Sequence, residues 1–167
     1  MKQMAVLTLT LIMATSHALP AIEKHSAAYA GGTIARLNAR GGSIAGQIDT
    51  SDPDHLVFIA DERPLADMPL RVEYDAIHHL EFGQNARRRV GPAIGATALL
   101  GPIGLVAFRS KHRTHYLTIT YRDDLGANQV LVLELGRGIV RDTLALVEER
   151  SSLAIEYQDE EARKWRQ

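Results

Sequence analysis

Arg87-Arg88-Arg89-Val90-Gly91-Pro92-Ala93-Ile94-Gly95-Ala96-Thr97-Ala98-Leu99-Leu100-Gly101-Pro102-Ile103-Gly104-Leu105-Val106-Ala107-Phe108-Arg109-Ser110-Lys111-His112-Arg113 is the stretch on which the reading of the fold turns. Its middle, Val90 to Phe108, runs for 19 residues without a formal charge, and three basic residues stand on each side. As a membrane crossing it would part everything upstream from everything downstream. As an insertion it would leave both sides in one domain.

Moving outward, both sides read as sheet. Upstream, Ile77 to Phe82 alternates with His78, Leu80 and Phe82 on one face and Ile77, His79 and Glu81 on the other. Leu70, Val72 and Tyr74 alternate with Arg71 and Glu73, and His55 to Ala60 is an apolar run of strand length, read as a central strand. Thr50-Ser51-Asp52-Pro53-Asp54 before it is a turn, because Asp and Ser side chains bond nearby backbone and Pro fixes φ. Ser43 to Asp49 sets Ile44, Gly46 and Ile48 on one face, and Ala30 to Asn38, through Thr33 to Leu37, is read as the first strand. Downstream, Thr114 to Arg122 places Leu117, Ile119 and Tyr121 opposite Tyr116, Thr118 and Thr120. A hairpin turn over Asp123 to Asn128 leads into Gln129 to Leu135. Ile139, Val140, Leu144 and Val147 then recur at helical spacing over Arg137 to Ser151.

The expected fold is therefore mainly β: seven short strands in a curled, up-and-down antiparallel sheet or half-barrel, closed by a C-terminal capping helix. A glycine-rich helical hairpin is inserted between strands five and six. This is a pleckstrin-homology-like plan. The chain also resembles a group of small exported bacterial proteins of unknown function with a pleckstrin-homology-like domain and a glycine-rich apolar insertion. The residues carrying that resemblance are Ile77-x-x-Leu80-Glu81-Phe82-Gly83-Gln84, Arg88-Arg89-Val90-Gly91 and Lys111-x-Arg113-x-His115-Tyr116-Leu117-Thr118-Ile119-x-Tyr121. Leu133-Glu134-Leu135-Gly136 and Arg141-x-Thr143-Leu144-Ala145-x-x-Glu148-x-Arg150 continue it, so that it covers residues 30–160 or so. It implies a fold and leaves the activity to be argued from a site.

Three readings of the apolar segment compete. Nineteen residues at ~1.5 Å each reach roughly 28 Å, enough for one transmembrane helix. Gly101-Pro102 near its middle and the split it would impose on the sheet oppose that reading. A helical hairpin fits better. Pro92 suits a first helical turn, Gly101-Pro102 makes the reversal, and Gly91, Gly95 and Gly104 let two arms approach. Leu99, Leu100, Leu105 and Phe108 would supply the apolar surface, and Arg87, Arg88, Arg89, Arg109, Lys111 and Arg113 would meet an anionic partner at its base. Such a hairpin suits a membrane surface, a membrane protein or a second copy of the chain. In the third reading it folds back over its own sheet, since an exported soluble protein rarely leaves such a patch uncovered.

Charge fits either a footprint for an anionic partner or, equally, basic residues that simply solubilise the ends of the apolar segment. Seven basic and no acidic residues fall between Phe82 and Arg122, and against a total of −1 this leaves −8 for the remainder. At the start of the chain, Lys2, an apolar core from Met4 to Ala14 and Ser16-His17-Ala18 read as a signal peptide cleaved after Ala18, with Ala21 as a second choice. The organisation expected is a signal peptide over 1–18, a leader over 19–29, the domain over 30–151 with its insertion at 87–113, and a polar tail over 152–167. In that tail Asp159/Arg163 and Glu160/Lys164 are candidate i,i+4 pairs. With no cysteine there is neither disulfide nor lipid-anchoring thiol, which suits a periplasmic or envelope location.

No catalytic constellation is legible. The histidines offer no H-E-x-x-H or clustered ligand spacing, no serine sits in G-x-S-x-G, and the glycines match no phosphate-binding loop. The expectation is a non-enzymatic binding or scaffold module without metal, cofactor or nucleic-acid partner. The alternative is a soluble periplasmic ligand- or peptide-binding domain with the hairpin packed on its own sheet.

Overall fold

The computed structural model describes residues 26–39, 41–84 and 114–166. The expected signal peptide over 1–18 and the expected hairpin over 87–113, with all of its expected contact and packing residues, lie outside the described residues. In chain order the elements are β1 (Ala27–Gly32), α1 (Ala35–Asn38), β2 (Ile44–Asp49), β3 (His55–Ala60), β4 (Leu70–Glu73), β5 (Ile77–Gly83), β6 (His115–Arg122), β7 (Asn128–Leu135), α2 (Val140–Ser151), β8 (Glu156–Tyr157) and α3 (Glu160–Arg163). Short 3-10 turns occupy Leu65–Asp67, Tyr74–Ala76 and Lys164–Arg166.

The eight strands form one curled half-barrel sheet in the order β4-β3-β2-β1-β7-β6-β5-β8. Neighbours are antiparallel except β5 and β8, which run parallel. The period-two pattern sets the register, because a slip of one residue would turn each apolar row outward. Ile44 and Ile48, Leu56 and Phe58, Leu70 and Val72, Leu117, Ile119 and Tyr121, and Leu131, Leu133 and Leu135 all enter one core. Val140, Leu144 and Val147 of α2 join it from the side. Three such side chains supply roughly 1.5–3 kcal/mol each on burial, more than a 12-residue helix gains from intrinsic propensity.

Three expectations are corrected. The first strand lies earlier, at Ala27–Gly32, and residues 33–37 do not extend it. Ala35, Arg36 and Leu37 are good helix formers, and they make one helical turn that buries Leu37. Asn38 fixes that turn by donating to the Gly32 carbonyl at 2.8 Å and accepting from the Tyr29 hydroxyl at 2.6 Å. Second, the alternation in β5 breaks at His78. The register shifts there between Ile77 and His79, so Ile77 shares the core with Leu80 and Phe82 instead of facing away. Third, an eighth strand is present, and it makes the sheet mixed.

The tail reaches that strand through its apolar exceptions. Ile155 and Ala162 are buried in the core, and Leu153, Tyr157 and Trp165 pack against it. Asp159 accepts from the Ala162 N–H at 2.7 Å and so caps α3, while Arg163 pairs with Glu160 at 2.8 Å. Of the expected i,i+4 pairs, Asp159 thus serves the backbone and Glu160 takes Arg163.

Candidate functional site

β5 and β6 pair along their length and end together, with Phe82 opposite Leu117 and Gly83 opposite Tyr116. Paired Cα atoms in an antiparallel ladder lie about 4.5–5.5 Å apart. The chain therefore leaves the sheet after Gly83 and re-enters it at His115, beside the same end of the ladder.

Beside the stem the tail folds over the β5 edge. The Gln158 N–H donates to the Phe82 carbonyl at 3.0 Å, and Glu156 and Tyr157 lie in register with Glu81 and Phe82. Gly83 permits this crossing: a Cβ there would come within 2.5 Å of Gln158 side-chain atoms. Between tail and strand lies a cleft of about 410 Å³ lined by Glu81, Ile155, Glu156, Tyr157, Gln158, Arg163 and Arg166. Glu81 is 4% exposed and accepts from the Gln158 amide at 3.1 Å.

Behind the cleft stands an aromatic cluster on the inner face. Phe82 meets Tyr157 edge-on at 6.1 Å between ring centroids and stacks with His115 at 6.1 Å and 17°. His115 meets Trp165 at 4.5 Å and 61°, and Arg141 reaches over the indole at 6.0 Å. His115 is 5% exposed. Neither of its ring nitrogens, nor the Tyr157 hydroxyl, has a hydrogen-bond partner among the described residues. Burial, aided by the nearby Arg137 cation, holds the imidazole below its ordinary pKa and so neutral. Burial likewise raises the Tyr157 phenol, with Glu148 adding to the effect.

The cleft offers carboxylates, guanidiniums and an amide to a bound group. Among the described residues no group of three or more His, Asp or Glu side chains could hold a metal ion, and no helix is long and apolar enough to cross a membrane. Sequence reasoning passed over Glu81, His115, Tyr157, Gln158 and Trp165 as a group. A carboxylate between Leu80 and Phe82 in a strand and four apolar residues in a polar tail were the available signals.

A second apolar patch lies on the other side of the sheet. Ala30, Tyr116, Val130 and Val132 form a separate cluster with exposures of 2–6%, facing away from the core that Leu117, Leu131 and Leu133 fill. No helix among the described residues belongs to that cluster.

Neither a protein-family model, nor a curated protein, nor a solved structure matches this chain.

Proposed function

We propose that this protein is a non-enzymatic binding or scaffold module of the cell envelope, built on a pleckstrin-homology-like domain. Its contact element is the basic, glycine-rich insertion over residues 87–113. The domain assignment is supported by the order of strands one to seven, 4-3-2-1-7-6-5, and by α2 seated against their common core. The reading is carried by one observation, the pairing of Gly83 with Tyr116. A single crossing would set the strands on either side of the segment ~30 Å apart, whereas Gly83 and Tyr116, which bracket it in the chain, pair across the ladder at about 5.5 Å or less. An insertion that leaves and returns on one side brings Arg87, Arg88 and Arg89 near Arg109, Lys111 and Arg113. Six cations over a compact apolar tip match a lipid surface with anionic headgroups, or a membrane protein with an acidic collar.

A second reading has its own support. In it the protein is a soluble ligand- or peptide-binding domain whose insertion packs on its own sheet. The burial of Tyr116, Val130, Val132 and Ala30 on the face away from the core favours it, because these side chains need cover.

Replacing residues 87–113 with a short Gly/Ser loop separates the two. If the insertion is the contact, the replaced form folds and no longer sediments with envelope membranes, while the intact protein does. A soluble intact protein together with an unfolded replaced form would establish the second reading.

A further inference from the structure

We propose that His115 is a proton-operated latch on the C-terminal turn: protonation of its imidazole unseats Trp165 and opens the cleft that the tail forms on β5. His115 sits on the core face of β6, between Phe82 of β5 and Trp165 of the Lys164–Arg166 turn, and pairs across the ladder with Leu135 of β7. All three neighbours are apolar. The charged groups near it are of the wrong sign to help an imidazolium. Arg137 follows β7, Arg141 of α2 lies over Trp165, and Lys164 and Arg166 flank that tryptophan in the chain. The carboxylates on the adjoining strands are Glu81 and Glu134. Register sets them opposite Thr118 and Tyr116, on the other face of the sheet.

A neutral ring tolerates this pocket with its two nitrogens unpartnered, at a cost. A charged ring does not, since an uncompensated buried cation is worth far more in water. The cheapest route to water is the side closed by Trp165, a half-buried side chain on a three-residue turn at the end of the described chain. Arg163 and Arg166, on and beside that turn, form one wall of the cleft. Displacing the turn therefore widens the cleft, while α2 and the strands keep their own contacts with the core. The direction of the pH effect follows from the neutral ring being the favoured form in the folded state. The docked turn is fully stable above the ordinary histidine pKa of ~6.5 and loses stability as pH falls below it, by at most about tenfold per unit.

Trp165 is the single tryptophan of the chain, so its emission reports on the latch directly. The experiment follows the emission maximum of the full chain and of His115→Gln from pH 8 to 4.5, with far-ultraviolet circular dichroism in parallel. The proposal expects a red shift with a midpoint below 6.5 in the natural protein, no such shift in the variant, and an unchanged sheet signal throughout. A red shift persisting in His115→Gln would overturn it, as would an emission maximum that stays fixed to pH 4.5. A red shift that coincides with loss of the sheet signal would do so as well. Should the variant not fold, histidine ring resonances of the natural protein decide. A ring that titrates below 6.5 in step with the Trp165 indole supports the latch, and an indole indifferent to every histidine titration contradicts it.

Discussion

Arg150, on the last turn of α2, donates through Nη1 to the backbone carbonyl of Asp52 at 2.6 Å, 98 residues away in the chain. The same nitrogen reaches the Thr50 carbonyl at 3.0 Å, and the guanidinium lies 5.4 Å from the centre of the Tyr74 ring. One side chain thus ties the capping helix to the β2–β3 turn and to the 3-10 corner between β4 and β5. Replacing Arg150 with Ala leaves two carbonyls without their charged donor and removes the cation–π contact. A loss of roughly 2–3 kcal/mol is expected, read as a lowered urea midpoint. Arg150→Lys is expected to restore less than half of it, because an ammonium cannot reproduce the planar fork.

The turn held by Arg150 is also an acid-labile point. Asp52 accepts from His55 Nδ1 at 3.1 Å, from the Asp54 and His55 backbone N–H groups and from Arg71 at 2.8 Å. The His55 side chain first, and then the Asp54 and His55 backbone N–H groups, lower the pKa of Asp52 to about 2. Asp123 is lowered in the same sense by the Gln129 amide and by the Ala127 and Leu125 N–H groups of its own turn. A carboxylate depressed in the folded state contributes stability that is complete above its ordinary pKa of 3.8 and is lost as pH falls toward the folded value. Denaturant midpoints are therefore expected to fall between pH 4 and 2, with a shallower fall in Asp52→Asn.

At the alkaline end the phenols govern. All five tyrosines, Tyr29, Tyr74, Tyr116, Tyr121 and Tyr157, have pKa values raised chiefly by burial. A raised phenol favours the neutral form in the fold, so its contribution is present below its ordinary pKa of 10.0 and is lost above it. Absorbance at ~295 nm is expected to show no tyrosine ionising at its ordinary pKa while the protein remains folded, followed by a cooperative rise as it unfolds. One phenol titrating freely near 10 would contradict the burial described for that residue.

Gly32, where β1 ends, has φ of 138° and no room for a side chain: a Cβ would lie 2.1 Å from the Val130 carbonyl oxygen. Gly32→Ala is expected to cost more than about 2 kcal/mol, from strain and backbone displacement together. Gly126, with φ of 80° and open space around it, bears only the conformational cost, about 1 kcal/mol on substitution by Ala. Paired thermal melts of the two variants check the difference.

These elements mark where the sequence was readable. β2 and β4 alternate between buried and more exposed residues, a period of two visible in the sequence, while β7 was legible as an apolar run of strand length after a turn. β1 was placed too late in the chain because Ala27, Ala28, Ala30, Gly31 and Gly32 have little β character; long-range pairing with β2 and β7 holds them in place. The face assignment of Ile77 failed because a bulge at His78 leaves no mark in composition. The cleft and the latch were illegible for a related reason. Glu81, His115, Tyr157 and Trp165 are scattered over 85 residues of sequence, and only a two-residue parallel strand, with no periodicity to show, brings them together.

The basic clusters of the 87–113 insertion are the proposed contact surface. That role is tested most directly by co-sedimentation of the chain lacking residues 1–18 with vesicles of phosphatidylglycerol and phosphatidylethanolamine, beside a variant in which Arg87, Arg88, Arg89, Arg109, Lys111 and Arg113 are replaced by Gln. The natural protein is expected to bind these vesicles at low salt, 0.5 M salt is expected to weaken the binding, and the neutralised variant, with an unchanged melting temperature, is expected to bind at least tenfold less. Equal partitioning of the two forms, or no binding by either to vesicles or to envelope membranes, would contradict it.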